Sequence, residues 1–537
     1  MKAMLKDRCA FPIAALAFLY CCNLHAQTAI TTYHGDPQRT GWNSHETVLT
    51  PANVASSSFG HIATITLDDQ VDAQPLVVPN QTIQGVTGAR TVVYVTTENN
   101  TVYAIDGAIG AVLKTRHLAP PVPKPLSCGN NGPNVGINST GTIDHASNTL
   151  YVMVYTQTAS GPQYNLHALD LSTLADHSGS PVVVSASQTL TNGLAFPFNA
   201  KYQRQRPALL EANNRIYAGF GSFCDFSANQ SRGWVLSWNT GSLSPLAPDQ
   251  LTNKLSTSNA SACTYANNHP CFLSSVWMSG YGLAADPTGN IYYTTGNSAS
   301  GTVNAGSNIG ESAVEMSANL SAVLHNFTPA DANKLDTDDA DFGSGGIMVL
   351  PDQTGSTFPH LAVAAGKDAR LFVLNRDHMG GFNTTDYPNS VNVGACWCGP
   401  SFFESSSGPR VVSSGGSQVQ TWSLTTSGGK PALAHVATAP AIEANHQDPG
   451  FFTSISSNGT ASNTAIIWAV GRAAGTDLHL TLYAYNATPS GATLPLLWSG
   501  VAGSWPNSGG NSNIVPTVAN GFVYVASNKQ LQIFGIL

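Results

Sequence analysis

Apolar positions in this chain come in short runs of four to six, broken by paired turn residues. Residues 92–114, VVYVTTENNTVYAIDGAIGAVLK, set the pattern. Val93, Val95 and Thr97 alternate with Tyr94 and Thr96, as on the two faces of a strand. Asn99-Asn100 tolerates the left-handed backbone of a tight hairpin. Residues 101–105 form a second β-rich run, Asp106-Gly107 and Gly110 close it, and residues 111–114 begin a third. Three strands alone leave an apolar face and two edges uncovered. The chain therefore needs to repeat the unit. Similar pairs begin near Leu150, Arg215, Asn290, Leu361, Arg410, Ile466 and Phe522. The total is eight units, spaced by roughly 50–75 residues, a period typical of radial or linear arrays.

Each unit also has an upstream strand, for example residues 74–78 before the first and 514–518 before the last. Four-stranded blades around an axis leave only short edges exposed. The eighth unit has no room for a fourth strand before Leu537, while residues 61–67, HIATITL, precede the first unit without a partner. The expected fold is all-β: an eight-bladed propeller in which residues 61–67 pair with 530–534 and close the ring. No stretch sustains a helical period, so very little helix is expected.

Composition agrees with this reading. The chain is 42% hydrophobic but only 10% charged, with 50 glycines, whereas an average soluble domain is about 25% charged. Net charge is −8, and the absence of a basic stripe argues against a nucleic-acid partner. Residues 1–26 join a basic start (Lys2, Lys6, Arg8) to an apolar run and end in Leu24-His25-Ala26. That is the layout of a secretory signal peptide cut after Ala26, and the run is too short for a membrane span. The alternative is a lipid anchor at Cys21 or Cys22, against which stands the bulky Tyr20. The protein is thus expected to be exported, periplasmic or extracellular, with residues 27–58 as an N-terminal arm and 59–537 as the propeller.

Beyond the leader lie Cys128, Cys224, Cys263, Cys271, Cys396 and Cys398. An even count in an exported chain favours disulfides. Cys263–Cys271 would close a local loop, and Cys128 and Cys224 are candidates for a second bridge. Cys396-Trp397-Cys398 is read as a short ring or, less readily, a thiol metal site. In the arm, YHGDPQRTGWN places His34, Asp36 and Arg39 either to line a site or to pin the arm to the ring. Residues 331–341 are the most acidic segment. They do not form an EF-hand loop, because Asp341 stands where that loop requires glycine. There is no Gly-x-Ser-x-Gly elbow and no phosphate-binding Gly-Lys-Ser/Thr loop. His446 and Asp448 could orient one another, but no nucleophile accompanies them.

The repeat VYVTTENNTVYAIDGAIGAVLK resembles that of the quinoprotein alcohol dehydrogenase-like propellers. The likeness is sharpest over residues 275–382, in WMSGYGLAADPTGNIYYTTGN, DDADFGSGGIMVLPD and AGKDARLFVLNRD. It implies pyrroloquinoline quinone and calcium as cofactors. Asn297, Asp225 (after a three-residue insertion) and Asp341 would ligate the ion, since a hard cation needs oxygen donors. Asp341 would be the catalytic base. Lys367 would contact the quinone carbonyl, and Trp277 would pack on the ring. Gly343 offers no second carboxylate, as in calcium-type members. Two departures stand out: the family's adjacent cysteine pair is absent, and its quinone-floor tryptophan aligns with Gly280, three residues from Trp277.

Three functions follow. The first is an exported oxidoreductase acting on an alcohol or carbohydrate, with a possible redox partner protein. The second is a binding or scaffold propeller without chemistry. The third is a carbohydrate lyase or hydrolase using the axial pocket.

Overall fold

The computed structural model describes residues 27–537, apart from 130–131, 226–229, 257–272, 300, 305, 383–388, 443–448, 472–477 and 507–513. The expected leader, Cys263, Cys271, His446 and Asp448 lie outside the described residues.

Eight antiparallel blades follow one another around an axis. In the first, Leu76–Gln81, Arg90–Thr96, Thr101–Asp106 and Val112–His117 run from the centre outwards. Both faces of a blade are covered by its neighbours, which explains why its strands read as nearly unbroken apolar runs. Val92, Tyr94, Val102 and Ala104 face the second blade. Val93, Val95, Tyr103 and Ile105 face the eighth.

The ring closes as its strand count requires. Phe59–Gln70 pairs antiparallel with the far half of Phe522–Ile536, with His61 opposite Phe534 and Thr66 opposite Gln530. The first and last segments of the propeller thus share one blade. Helix is confined to Pro51–Val54, Ala332–Asp338 and a few single turns among the described residues.

The arm does more than lead into the ring. It makes hydrogen bonds to every blade of the ring. Ile30 exchanges two backbone hydrogen bonds with Val77 in blade one, and Thr31 accepts from Ile143 N in blade two. Arg39 reaches Leu209 O in blade three at 2.9 Å. Pro37, Gln38, Thr40 and Gly41 accept from Ala285, Val349, Phe402 and Ile455, in blades four to seven. Asn43 Nδ2 donates to Val518 O in blade eight at 3.1 Å. Arg39 is therefore the pin. It is fully buried, and its guanidinium also donates to Leu283 O, Thr32 Oγ1 and Tyr33 O. Asp36 instead folds the arm on itself through Thr40 N. Burial keeps His34 neutral down to about pH 3.

Tyr281 stands over this layer. Its hydroxyl donates to Arg39 O and Pro400 O, at 2.8 and 2.9 Å. Its ring fills the space beside Gly346 and Gly399, where a Cβ would lie within 2.0 Å of ring atoms. Only glycine fits at either position.

Candidate functional site

The turns just above Tyr281 bring together Trp277, Asp341 and Lys367, with Asn297 and Asp225 beside them. Each is positioned by backbone features that can be traced in the sequence. After Trp277, Met278, Ser279 and Gly280 all take positive φ, at 41°, 47° and 82°. These three residues form a left-handed turn directly after Trp277. Cys224 and Asp225 likewise hold φ of 51° and 54°. Non-glycine residues held there are strained, and such strain concentrates at functional sites.

Asp341 lies between the Ala332–Asp338 helix and the Phe342–Ser344 turn. Phe342 is buried against Phe327 and Phe372, and its N–H donates to Glu311 Oε2 at 2.6 Å. Lys367 N donates to Asp341 O at 3.1 Å, which fixes one functional residue to the next. Gly343 must be glycine, because a Cβ would lie 2.4 Å from the Thr295 carbonyl carbon. No second carboxylate fits there.

The side chains form one charged cluster. Trp277 Nε1 donates to Asp341 Oδ2 at 3.0 Å. Lys367 Nζ lies 3.6 Å from the same oxygen and 3.2 Å from Asp339 Oδ1. It also lies over two indoles, 5.4 Å from the Trp277 ring centre and 5.2 Å from that of Trp397. Arg206 lies 5.3 Å from the Trp277 ring. Asp341 is 3% exposed, yet its Oδ1 meets no donor. Buried polar atoms nearly always have a partner, so this oxygen can accept a hydrogen bond from a ligand. Burial, opposed by Lys367, raises the Asp341 carboxyl to about 6. Burial works against the Lys367 charge, but Asp341, Asp339 and Asp225 outweigh it and hold the ammonium above the usual lysine range. Behind Asp341, burial and neighbouring acids push Glu311 well up, and burial pushes Asp336 to about 7.

Disulfides border the cluster. Cys128–Cys224 ties the connector after blade one to the residue next to Asp225. Cys396–Cys398 closes the short ring around Trp397, which excludes the thiol metal site.

Comparison with known proteins supports the fold. Quinohemoprotein alcohol dehydrogenase from Comamonas testosteroni matches 95% of this chain and 80% of its own at 14% identity, with a TM-score of 0.59. A europium-containing methanol dehydrogenase matches 95% of this chain and 98% of its own at 12% identity, TM-score 0.58. The chain has the fold of these quinoprotein dehydrogenases. A second quinohemoprotein alcohol dehydrogenase, from Pseudomonas putida HK5, matches at 14% identity and a TM-score of 0.57. No protein-family model matches the sequence, and neither does any curated protein.

Within that fold an indole face and two cations suit a planar cofactor with acidic groups, and the Asp341 oxygen without a donor suits a hydroxyl. Each calcium ligand implied by the resemblance has another contact in this structure. Asn297 turns its amide nitrogen, not its oxygen, towards Asp339 Oδ1, at 3.2 Å. Asp225 accepts from Ser222 Oγ. Of the three expected ligands, Asp341 alone has a fully buried oxygen without a donor among the described residues. No three His, Cys, Asp or Glu side chains among the described residues gather as a metal requires.

Asp339, Glu311, Asp336, Arg206 and Trp397 belong to the cluster but were not picked out from the sequence. Asp339 had a signal, lying in the acidic stretch two residues from Asp341. Glu311 had none.

Proposed function

We propose that this protein is an exported quinoprotein-type oxidoreductase that oxidises an alcohol or a sugar at the mouth of the axial channel. The observation that carries the reading is Asp341: buried, with one oxygen held by Trp277 and Lys367 and the other without a partner. Trp277, Lys367 and Arg206 would hold pyrroloquinoline quinone, which when bound supplies the hydride acceptor. Asp341 takes the substrate hydroxyl proton onto Oδ1, the role of a general base. With a carboxyl that ionises near 6, it is a base at neutral pH while still accepting a proton readily. Trp277 and Lys367 keep its other oxygen fixed, so the free oxygen keeps one direction. The electrons leave to an external acceptor, a dye in the assay and a redox partner protein outside the cytoplasm. Export rests on residues 1–26, whose composition is that of a secretory leader.

The test is reconstitution. Added pyrroloquinoline quinone should quench tryptophan fluorescence, and the loaded protein should reduce a dye with alcohols or sugars. Asp341→Asn should keep the quenching and lose turnover. Neither quenching nor dye reduction by the unaltered protein would end the reading.

A further inference from the structure

In this fold's charged mouth the positive charge is already present as part of the chain. Lys367 Nζ lies 3.2 Å from Asp339 Oδ1 and 3.6 Å from Asp341 Oδ2, with its side chain 12% exposed. Two indoles face it at 5.4 and 5.2 Å, the arrangement of a cation–π site on each. Its backbone is tied to Asp341 O, so the ammonium is not free to swing away. Asn297 completes the picture by offering a donor to Asp339. A calcium ion wants six to eight oxygens at about 2.3–2.6 Å. Here Asn297 gives its amide nitrogen to Asp339, Asp225 Oδ1 accepts from a hydroxyl, and the space between Asp339 and Asp341 holds an ammonium that would repel a second cation.

We propose that Lys367 takes the place of the metal ion, so that the site assembles and binds its ligands without calcium or a lanthanide. The role is electrostatic. Lys367 offsets one of the two negative charges on Asp339 and Asp341 and supplies a fixed positive charge beside Oδ2, leaving Oδ1 open. The inference rests on the quinoprotein reading for its chemical purpose. Its geometry and its test stand apart from that reading, because the measurement needs neither quinone nor turnover.

Terbium serves as the probe, since Trp277 is bonded to Asp341 and would sensitise the luminescence of an ion bound there. Metal-stripped protein is titrated with Tb³⁺, and its melting temperature is followed with Ca²⁺ up to the roughly millimolar range of weak extracellular sites. The unaltered protein should show no saturable luminescence and no calcium-dependent shift in melting temperature. Lys367→Ala removes the ammonium and frees the acids. It should acquire saturable Tb³⁺ luminescence, and adding Asp341→Asn should abolish the signal again. Lys367→Arg keeps the charge and should remain silent, which separates charge from folding defects. Saturable Tb³⁺ binding by the unaltered protein that Asp341→Asn removes would overturn the proposal. So would a folded Lys367→Ala variant that stays silent, because the acids would then require no cation. Absence of dehydrogenase activity in a protein that passes these tests would sink the proposed function and leave this inference standing.

Discussion

Arg39 and Asp341 are both charged and buried on the same axis, with Tyr281 between their layers. Arg39 has every guanidinium nitrogen engaged, by carbonyls of the arm and of blades three and four and by the Thr32 hydroxyl. Asp341 has one oxygen engaged and one without a donor. Burying a charge is costly unless hydrogen bonds offset it. The arm layer meets that cost in full and acts as structure. The mouth leaves part of it unmet, and that remainder is available to a ligand. The contrast separates the residues that hold the ring from those that work in it.

The largest effect should come from breaking the satisfied side. Arg39→Met leaves at least four acceptors without donors in a dry interior. A loss of about 3–5 kcal/mol is expected, the range for removing one member of a buried charged network, read as an earlier denaturant midpoint. Asp341→Asn should do the opposite to stability while costing catalysis. Turnover should fall by about 10²–10⁴-fold, the usual contribution of a general base. The carboxyl ionises near 6 in the folded protein and near 3.9 when unfolded. Its ionisation therefore weakens the fold progressively as pH rises from about 4 to about 6. The asparagine variant should match the parent below pH 4 and be more stable above pH 6, by up to about 3 kcal/mol, measured as melting temperature against pH. For the parent protein under the proposed function, the same ionisation predicts dye reduction that rises with pH through a midpoint near 6.

A steric probe tests the partition between the layers. Gly346→Ala would place a methyl within 1.9 Å of the Tyr281 ring. Overpacking of this kind costs about 1–3 kcal/mol, and the variant should melt earlier than the parent. The smallest change is Trp277→Phe, which keeps the aromatic face and deletes the N–H. That donor helps keep Asp341 charged, so the acidic limb of the pH profile should move upward by about one unit or less. An unmoved limb would show that Trp277 does not tune the carboxylate.

The layers also differ in how far the sequence discloses them. Blades were legible because both faces of each are buried and the turn residues between strands are fixed by backbone need, as at Asn99-Asn100. Ring closure followed from a missing fourth strand. The course of the arm was not legible. It bonds mostly through its own carbonyls to backbone N–H groups, and these carry no residue signature. In the mouth, Asp341, Lys367 and Trp277 stood out because family spacing or residue type pointed to them. Glu311 is a lone acid in a polar loop, and it acts through a hydrogen bond to the backbone next to Asp341. Asn297 was legible in position but not in the direction of its amide, which Asp339 decides.

The path of the arm sets an order in time. Thr28 is bonded to Asn520, 492 positions away, and residues 59–70 wait for a partner near the far end of the chain. A chain that leaves the ribosome, or a membrane pore, from its N-terminus cannot seat these segments until the eighth blade has emerged. Contacts this distant in sequence form late and slowly. The ring therefore stays open until synthesis is nearly finished, and the segments that emerge first are among the last to be fastened.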